Sequence, residues 1–289
     1  MRWRTVLAYT IMNHPFLERA PKGTITPRPV LRIATWNVNS LRVRLPTLLG
    51  WLEEARPDVL ALQETKVTDA LFPAGPLATA GYGELLRRGE RAYNGVALLA
   101  RDKPFHGASF RLDGEAEEET RFLAATLPDG LRVITVYVPN GRTVDSPHFA
   151  RKAAWLKTLR ERLARELDRY PRLVVLGDFN IAPEERDVAR PSDWEDSVLT
   201  HEEVRRAWRT FLDLGLHDAY RHRHPEGRDY TWWDYRRGAF ARDDGLRIDH
   251  ILLSTTLAEH LVEARVARTL RAGPRPSDHA PLVVDLRWD

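Results

Sequence analysis

A set of short segments in this chain each places an acid, an amide or a phenol at the end of an apolar run. Asn37 follows RIATW and Glu64 follows VLALQ. Tyr137 lies within RVITVYVPN, Asp178 and Asn180 close LVVLGDFN, Asp249 lies within LRID, and Asp278 and His279 precede APLVV. Strand ends converge at one edge of a sheet, so such residues can share a cleft. Asp178 and Asn180, two apart, face the same side if the strand runs through both. Four carboxylates and two amides are hard oxygen donors that suit Mg²⁺ or Mn²⁺, with water and phosphate completing the shell. Burying several acids without a cation is costly, which argues against a purely structural cluster. Each residue alone has an ordinary explanation: Asn37 as a turn, Glu64 as a cap, Asp178-Asn180 as an Asx turn, Asp278 as a loop acid, His279 as a satisfied core histidine. The set together marks a site.

The elements that must position these residues are legible from Leu31 onward. LRIATWNV, VLALQET, GVALLAR, FLAATL, RVITVYV, LVVLGDF, IDHILLS and APLVVDL read as short strands bounded by turn residues. Arg44 to Glu54 has apolar residues at helical spacing, and His148 to Leu167 gives the clearest amphipathic helix. Thr200 to Leu214 reads as a third, with Thr200 as N-cap and Glu203 three residues on. No Gly/Ser linker interrupts this stretch, and no internal repeat stands out. The pattern is one α/β domain over 31–289, sheets in the middle and helices outside. Residues 1–30 are expected to be a disordered extension, too short and broken in their apolar part for a secretory signal.

Composition narrows the chemistry by exclusion. The 289 residues contain no cysteine, which removes disulfides, thiolate zinc sites and a Cys nucleophile, and fits a reducing cytoplasm. No apolar run reaches the roughly 20 residues of a membrane span. The net charge of +3 is too mild to argue for nucleic acid by itself. Only five of the 44 basic residues are Lys; Arg suits bidentate phosphate contacts, although a coding bias would give the same count. Phosphate-loop, dinucleotide, HExxH and GxSxG signatures are all absent.

Taken in order, TWNVNSLR, LQETKV, YVPNG, GDFNIAP, TWWDYR, GLRIDHILLS and SDHAPLVVDL resemble the exonuclease III family of abasic-site endonucleases. That family sits within the wider endonuclease/exonuclease/phosphatase superfamily. The resemblance implies a four-layer α/β sandwich, two mixed β-sheets packed face to face with helices outside. It implies a Mg²⁺-dependent 3'→5' exonuclease and abasic-site endonuclease, with Mn²⁺ as substitute. Duplex DNA with abasic sites or 3' ends would be the partner of a monomer in the bacterial cytoplasm, associated with the nucleoid. Superfamily rivals are a non-specific nuclease and a phosphoinositide phosphatase.

Carried over residue by residue, the resemblance assigns metal binding to Asn37, Glu64, Asp178, Asn180, Asp278 and His279. It assigns chemistry to Tyr137, Asp178, Asn180, Asp249 and His279, with either Asp178 or Tyr137 as base. Asn39 stands where some members carry Asp. For DNA it points to Arg142 and Arg236 in the grooves; Arg42 and Arg91 are candidates for phosphate contact on their residue type alone. Trp232, Leu246 and Ile248 would line an apolar pocket for an extruded base-free sugar. Trp233 is expected in the core, because alternating side chains cannot all face one pocket.

Overall fold

The computed structural model describes residues 30–114 and 119–288. The expected extension over residues 1–30 therefore lies outside the described residues, apart from Val30. Two six-stranded sheets face each other. The first runs β11 (Leu261–Val266), β12 (Leu282–Arg287), β1 (Val30–Asn37), β2 (Val59–Gln63), β4 (Val96–Ala100), β3 (Glu84–Arg88). The second runs β5 (His106–Ser109), β6 (Phe122–Thr126), β7 (Arg132–Tyr137), β8 (Leu173–Asp178), β10 (Asp249–Ser254), β9 (Leu216–Asp218). Both sheets are mixed. In each, one parallel pair, β1–β2 or β7–β8, is flanked by antiparallel neighbours.

The same order and the same senses recur in the two sheets, so the halves share a topology that the sequence alone did not display as a repeat. Each parallel pair needs a crossover. Helix α1 (Leu41–Ala55) connects β1 to β2, and α3 (Pro147–Arg169) connects β7 to β8. Two short helices, α2 (Ala74–Thr79) and α5 (Ala219–Arg223), a longer one, α4 (Glu202–Leu212), and α6 (Thr255–Ala258) complete the set.

Strand alternation sorts the apolar side chains into three layers. Ile33, Val59, Ala61 and Leu98 meet Leu123, Val133, Val174, Ile251 and Leu253 between the sheets. On the outer face of the first sheet, Trp36, Leu60 and Leu62 pack under Leu41, Leu48, Trp51 and Leu52 of α1. On the outer face of the second, Ile134, Val136, Val175 and Leu252 meet Phe149, Leu156 and Leu159 of α3 and Trp208 and Phe211 of α4. Because the central strands are covered on both faces, they read as continuous apolar runs.

Helix starts follow local chemistry. Ser146 caps α3 by accepting from the Phe149 N–H at 3.2 Å, and Pro147 occupies the first turn. For α4 the expected cap is displaced by one residue: His201, not Thr200, accepts from the Glu203 N–H through Nδ1 at 3.3 Å. The Thr200 hydroxyl is spent on the carbonyls of Trp194 and Ser197.

Candidate active site

The C-terminal ends of β1, β2, β7 and β8 meet at one end of the sandwich. Register places Tyr137 beside Asp178, and Asp178 beside Asp249. Just past the strands the chain turns sharply. Glu64 and Asn180 take left-handed φ values of 49° and 51°, and Asn39, Ser40, Lys66 and Arg142 are also left-handed. Such conformations cost on the order of 1–3 kcal/mol each unless surrounding contacts hold them. Side-chain acceptors supply part of that hold. Asn37 Oδ1 accepts from the Asn39 N–H, Asp178 Oδ1 from the Asn180 N–H and Asn140 Oδ1 from the Arg142 N–H, at 2.9–3.1 Å. The strand does not run through both Asp178 and Asn180, so the condition for their sharing a face is not met. β8 ends at Asp178, and an Asx turn with a left-handed Asn180 brings the two together.

One amide ties the two sheets at the site. Asn37 Nδ2 donates to Glu64 Oε1 at 2.8 Å and to Asp178 Oδ2 at 2.9 Å. Beneath it, Gln63 Nε2 donates to Oγ1 of Thr35 on the neighbouring strand and of Thr135 across the sandwich, both at 3.0 Å. His279 Nδ1 pairs with Asp249 Oδ2 at 2.8 Å, and its Nε2 lies 3.8 Å from Asp178 Oδ2. Burial alone would discharge this imidazole. Asp249 and Asp178 outweigh burial and raise its pKa to about 10. Burial lifts the Asp178 carboxyl to about 7; His279 opposes the rise while Asp249 and Glu64 add to it. Tyr137 is pushed well above its ordinary value by burial and by the charges of Glu64 and Asp178, and it hydrogen-bonds Glu64. Asp278 is held low: burial opposes this, but His279, Asn39 and the Trp232 indole together prevail. Its two oxygens accept from Asn39 Nδ2 at 2.9 Å and Trp232 Nε1 at 3.0 Å.

Ligand atoms of Glu64, Asp178 and His279 all lie within 4.8 Å of one another. Burial raises Asp178 first, and the neighbouring charges of Asp249 and Glu64, which add to the rise, are what a bound cation would relieve; the donor set of carboxylates and amides fits a hard divalent ion. A charged imidazole has no lone pair to give, so His279 fits the donor role better than the ligand role.

A sequence profile described as "Endonuclease/Exonuclease/phosphatase family" matches residues 34–279. The chain belongs to this endonuclease/exonuclease/phosphatase family. Exodeoxyribonuclease III of Haemophilus influenzae is 34% identical over 272 residues, which cover 89% of this chain and all of the relative. Two solved structures each cover 89% of this chain and all of theirs. A 3' phosphatase from Neisseria bound to product DNA hairpin is 43% identical with TM-score 0.86, and an AP endonuclease from Archaeoglobus fulgidus is 40% identical with TM-score 0.85. Within the family the chain is therefore an exonuclease III-type nuclease, with the expected sandwich fold. The acidic cluster sits inside the region that the family profile covers.

Around this family site the substrate-facing candidates separate. Arg42, Arg91 and Arg142 are exposed, and Arg142 Nη1 contacts His148 Nε2 at 3.0 Å. Arg236 is exposed as well, but it is folded back onto Asp234 at 2.8 Å. Trp232 is half-buried, while Leu246 and Ile248 are buried at 1% and 2% exposure and belong to the core beneath α3 and α4. Ile248 shares the helix-facing side with His250 and Leu252, opposite to Asp249. Trp194 adjoins Trp232 at the surface, in edge contact at 5.8 Å. Together they border a cavity of about 370 Å³ that also touches Arg190, Arg236, Arg237 and Arg242. Trp233 is fully buried, as its alternation predicts.

Several neighbours carry no role in the sequence reading. Lys66 contacts Glu64 at 2.7 Å and Asn39 at 2.5 Å. Asn140 Nδ2 donates to Asn180 Oδ1 at 2.9 Å. Lys152 lies under both loops; burial lowers its pKa to about 7, and Asp178 pulls the other way. Lys66 and Asn140 stood inside QETK and YVPN, so their signal was present. Trp194 stands in no motif.

Proposed function

We propose that this nuclease hydrolyses phosphodiester bonds of duplex DNA at abasic sites and 3' ends, using Mg²⁺ and leaving 3'-hydroxyl and 5'-phosphate termini. The observation that carries the reading is the Asp249–His279 pair facing Asp178, which the amide of Asn37 ties to Glu64. It offers one proton acceptor and one proton donor 3.8 Å apart.

Mg²⁺ bound to Glu64, with Asn37, Asp278 and the oxygens of Asp178 and Asn180 around it, would neutralise charge on the phosphate and on the departing 3'-oxygen. Asp178 accepts a proton from the attacking water, and its raised proton affinity suits that task near neutral pH. Tyr137 remains a donor because its hydroxyl proton is committed towards Glu64, which leaves Asp178 as the base. Asn180, whose Oδ1 accepts from Asn140 Nδ2 and whose Nδ2 donates to the Val138 carbonyl at 3.0 Å, is fixed in one rotamer and keeps one lone pair and one N–H for metal, water or phosphate. His279 presents Nε2–H to a non-bridging oxygen while Asp249 fixes its tautomer and charge. Water oxygen joins phosphorus, the bond from phosphorus to the 3'-oxygen breaks, and that oxygen leaves as a hydroxyl after taking a proton from solvent.

Removal of a terminal 3'-phosphate is the same hydrolysis with a smaller group, and the Neisseria 3' phosphatase gives that second reading a specific basis. Three labelled duplexes separate the outcomes: one with an internal synthetic abasic site, one intact with a recessed 3' end, one with a 3'-phosphate. Cleavage is expected on the first two in Mg²⁺ and none in EDTA, with Mn²⁺ restoring it and Glu64→Gln severely impaired. Full activity in EDTA overturns the metal reading; release of phosphate alone transfers the assignment to 3' phosphatase. The enzyme is taken to act as a cytoplasmic monomer.

A further inference from the structure

α3 buries one stripe of its surface, and that stripe contains an ion. Phe149, Lys152, Trp155, Leu156, Leu159, Leu163 and Glu166 are its buried residues. Glu166 is matched by Arg132 at 2.8 Å and Arg162 at 2.8 Å. Lys152, with no exposed surface, faces carbonyls instead. Its Nζ donates to the main-chain oxygens of Asn180 at 2.6 Å, Val198 at 2.7 Å and Asn140 at 3.2 Å. Three short bonds to three acceptors use three N–H groups, and only the ammonium has three. Burial favours loss of a proton here, and three N–H groups each held by a carbonyl are the geometry that opposes that loss.

The three acceptors are not equivalent bystanders. Asn140 and Asn180 hydrogen-bond to each other through their side chains. Asn180 is left-handed, and Val198 lies in the loop that leads into α4. Gly141, with φ of 93°, leaves space where a Cβ would come within 3.1 Å of Lys152 Cδ. Convergence on a single point suits a compact ammonium and not a planar guanidinium. In a chain with 39 arginines among its 44 basic residues, lysine at this position has a geometric reason.

We infer that Lys152 is a positioning residue for the hydrolysis: from beneath, its ammonium locks the Asn140 and Asn180 loops so that the Asn180 side chain meets the phosphate in one geometry. Lys152 touches no substrate. It acts through two carbonyls, and the inference rests on the nuclease reading above.

The absence of cysteine allows a clean test. Lys152→Cys carries the only thiol. Aminoethylation in denaturant followed by refolding rebuilds a lysine-like ammonium, whereas propylation rebuilds the stem without charge. Lys152→Met is the genetic counterpart, and the parent is carried through the same refolding. The readouts are kcat and KM on the abasic duplex, and amide hydrogen exchange over residues 140–142 and 180–182. A displacement of about 1 Å costs on the order of 100-fold, so the Met and propyl forms should fold, lose about 100-fold in kcat, and keep KM within about threefold. Exchange in both loops should quicken, and the aminoethyl form should recover both properties. A folded Met or propyl form cleaving within about threefold of the parent overturns the inference, as does a loss confined to KM. So does failure of the aminoethyl form to recover when the refolded parent does. If neither Met nor propyl form folds, Lys152 serves folding and the inference fails. A parent that leaves the abasic duplex uncut before denaturation as well as after refolding overturns the proposed reaction instead, and the exchange comparison still decides Lys152.

Discussion

His279 is positively charged because two carboxylates outweigh its burial, and that balance can be tilted by one atom. Asp249 contacts Nδ1 at 2.8 Å, while Asp178 stands 3.8 Å from Nε2. A base whose folded pKa is raised keeps its proton below that value and loses it as pH rises through it. With His279 raised to about 10, the donor should persist through the neutral range and fail only in alkali. Asp249→Asn removes the nearer anion, so the proton is lost at lower pH. The expected result is a fall in kcat of about 100-fold at pH 7.5, within the usual range for a general acid–base group. The descending limb of the pH–rate profile should move down by about one unit or more. A folded Asp249→Asn enzyme with the parent's profile from pH 6 to 10 would make the pair structural.

At the scale of elements, burial decided what could be read. The eight strands expected from apolar runs are the eight interior strands, each with neighbours on both sides. The four that escaped, β3, β5, β9 and β11, are the four sheet edges. β3 reads ELLRR and β5 reads HGAS, sequences that protect an exposed edge with charge and small residues and so hide the strand signal. The site shows the same division. Glu64 and Asp178 were legible because an acid after an apolar run is conspicuous. Lys152 and His250 were not, because their meaning depends on carbonyls that the chain delivers from elsewhere. His250 shows what such a residue contributes. It lies on β10 next to Asp249 but faces the helices, its ring tilted 47° against Trp208 with centroids 4.3 Å apart, with Nδ1 facing Arg247 Nη1 at 2.9 Å and Nε2 facing the Ile181 carbonyl at 2.8 Å. The Arg247 donor assigns the ring proton to Nε2. Burial, reinforced by Arg247, lowers His250 to about 4. A depressed pKa gives stability that is complete above the unfolded value of about 6.5 and is lost as pH falls through the folded value. The parent should therefore lose about 3 kcal/mol between pH 6.5 and 4 from this one group. His250→Gln should be less stable at pH 7.5 yet show a flatter profile across that window. Urea unfolding at a series of pH values measures both; an unchanged slope would mean that another group dominates acid unfolding.

For the whole molecule, a net charge of +3 spread over 289 residues cannot by itself hold a polyanion. Among the described residues no helix is long and apolar enough to cross a membrane. Binding to DNA has to come from where the cations stand and whether they are already spent. Many are spent: Arg132 on Glu166, Arg190 and Arg242 on Asp244, Arg221 and Arg247 on Asp187. Arg236, the groove candidate nearest the tryptophans, lies on Asp234, which holds it with both oxygens. Before it can meet a phosphate it must leave that partner. Arg91 and Arg142 stand exposed on loops that border the acidic end of the sandwich, Arg142 two residues beyond Asn140. Each phosphate neutralised on duplex DNA contributes about −0.9 to the slope of log K against log salt. Removing Arg91 or Arg142 should thus flatten that slope by about 0.9 apiece and weaken binding at low salt. Removing Arg236 alone should change it much less, because Asp234 already screens it. Asp234→Asn should raise affinity and steepen the slope, and only in that background should Arg236→Ala take the gain away. Fluorescence anisotropy of an abasic duplex in EDTA, across a salt series, measures these slopes without cleavage. A slope that falls as far for Arg236→Ala as for Arg142→Ala in the parent background would show that DNA displaces Asp234 at no cost, and that the ion pair is no brake on binding.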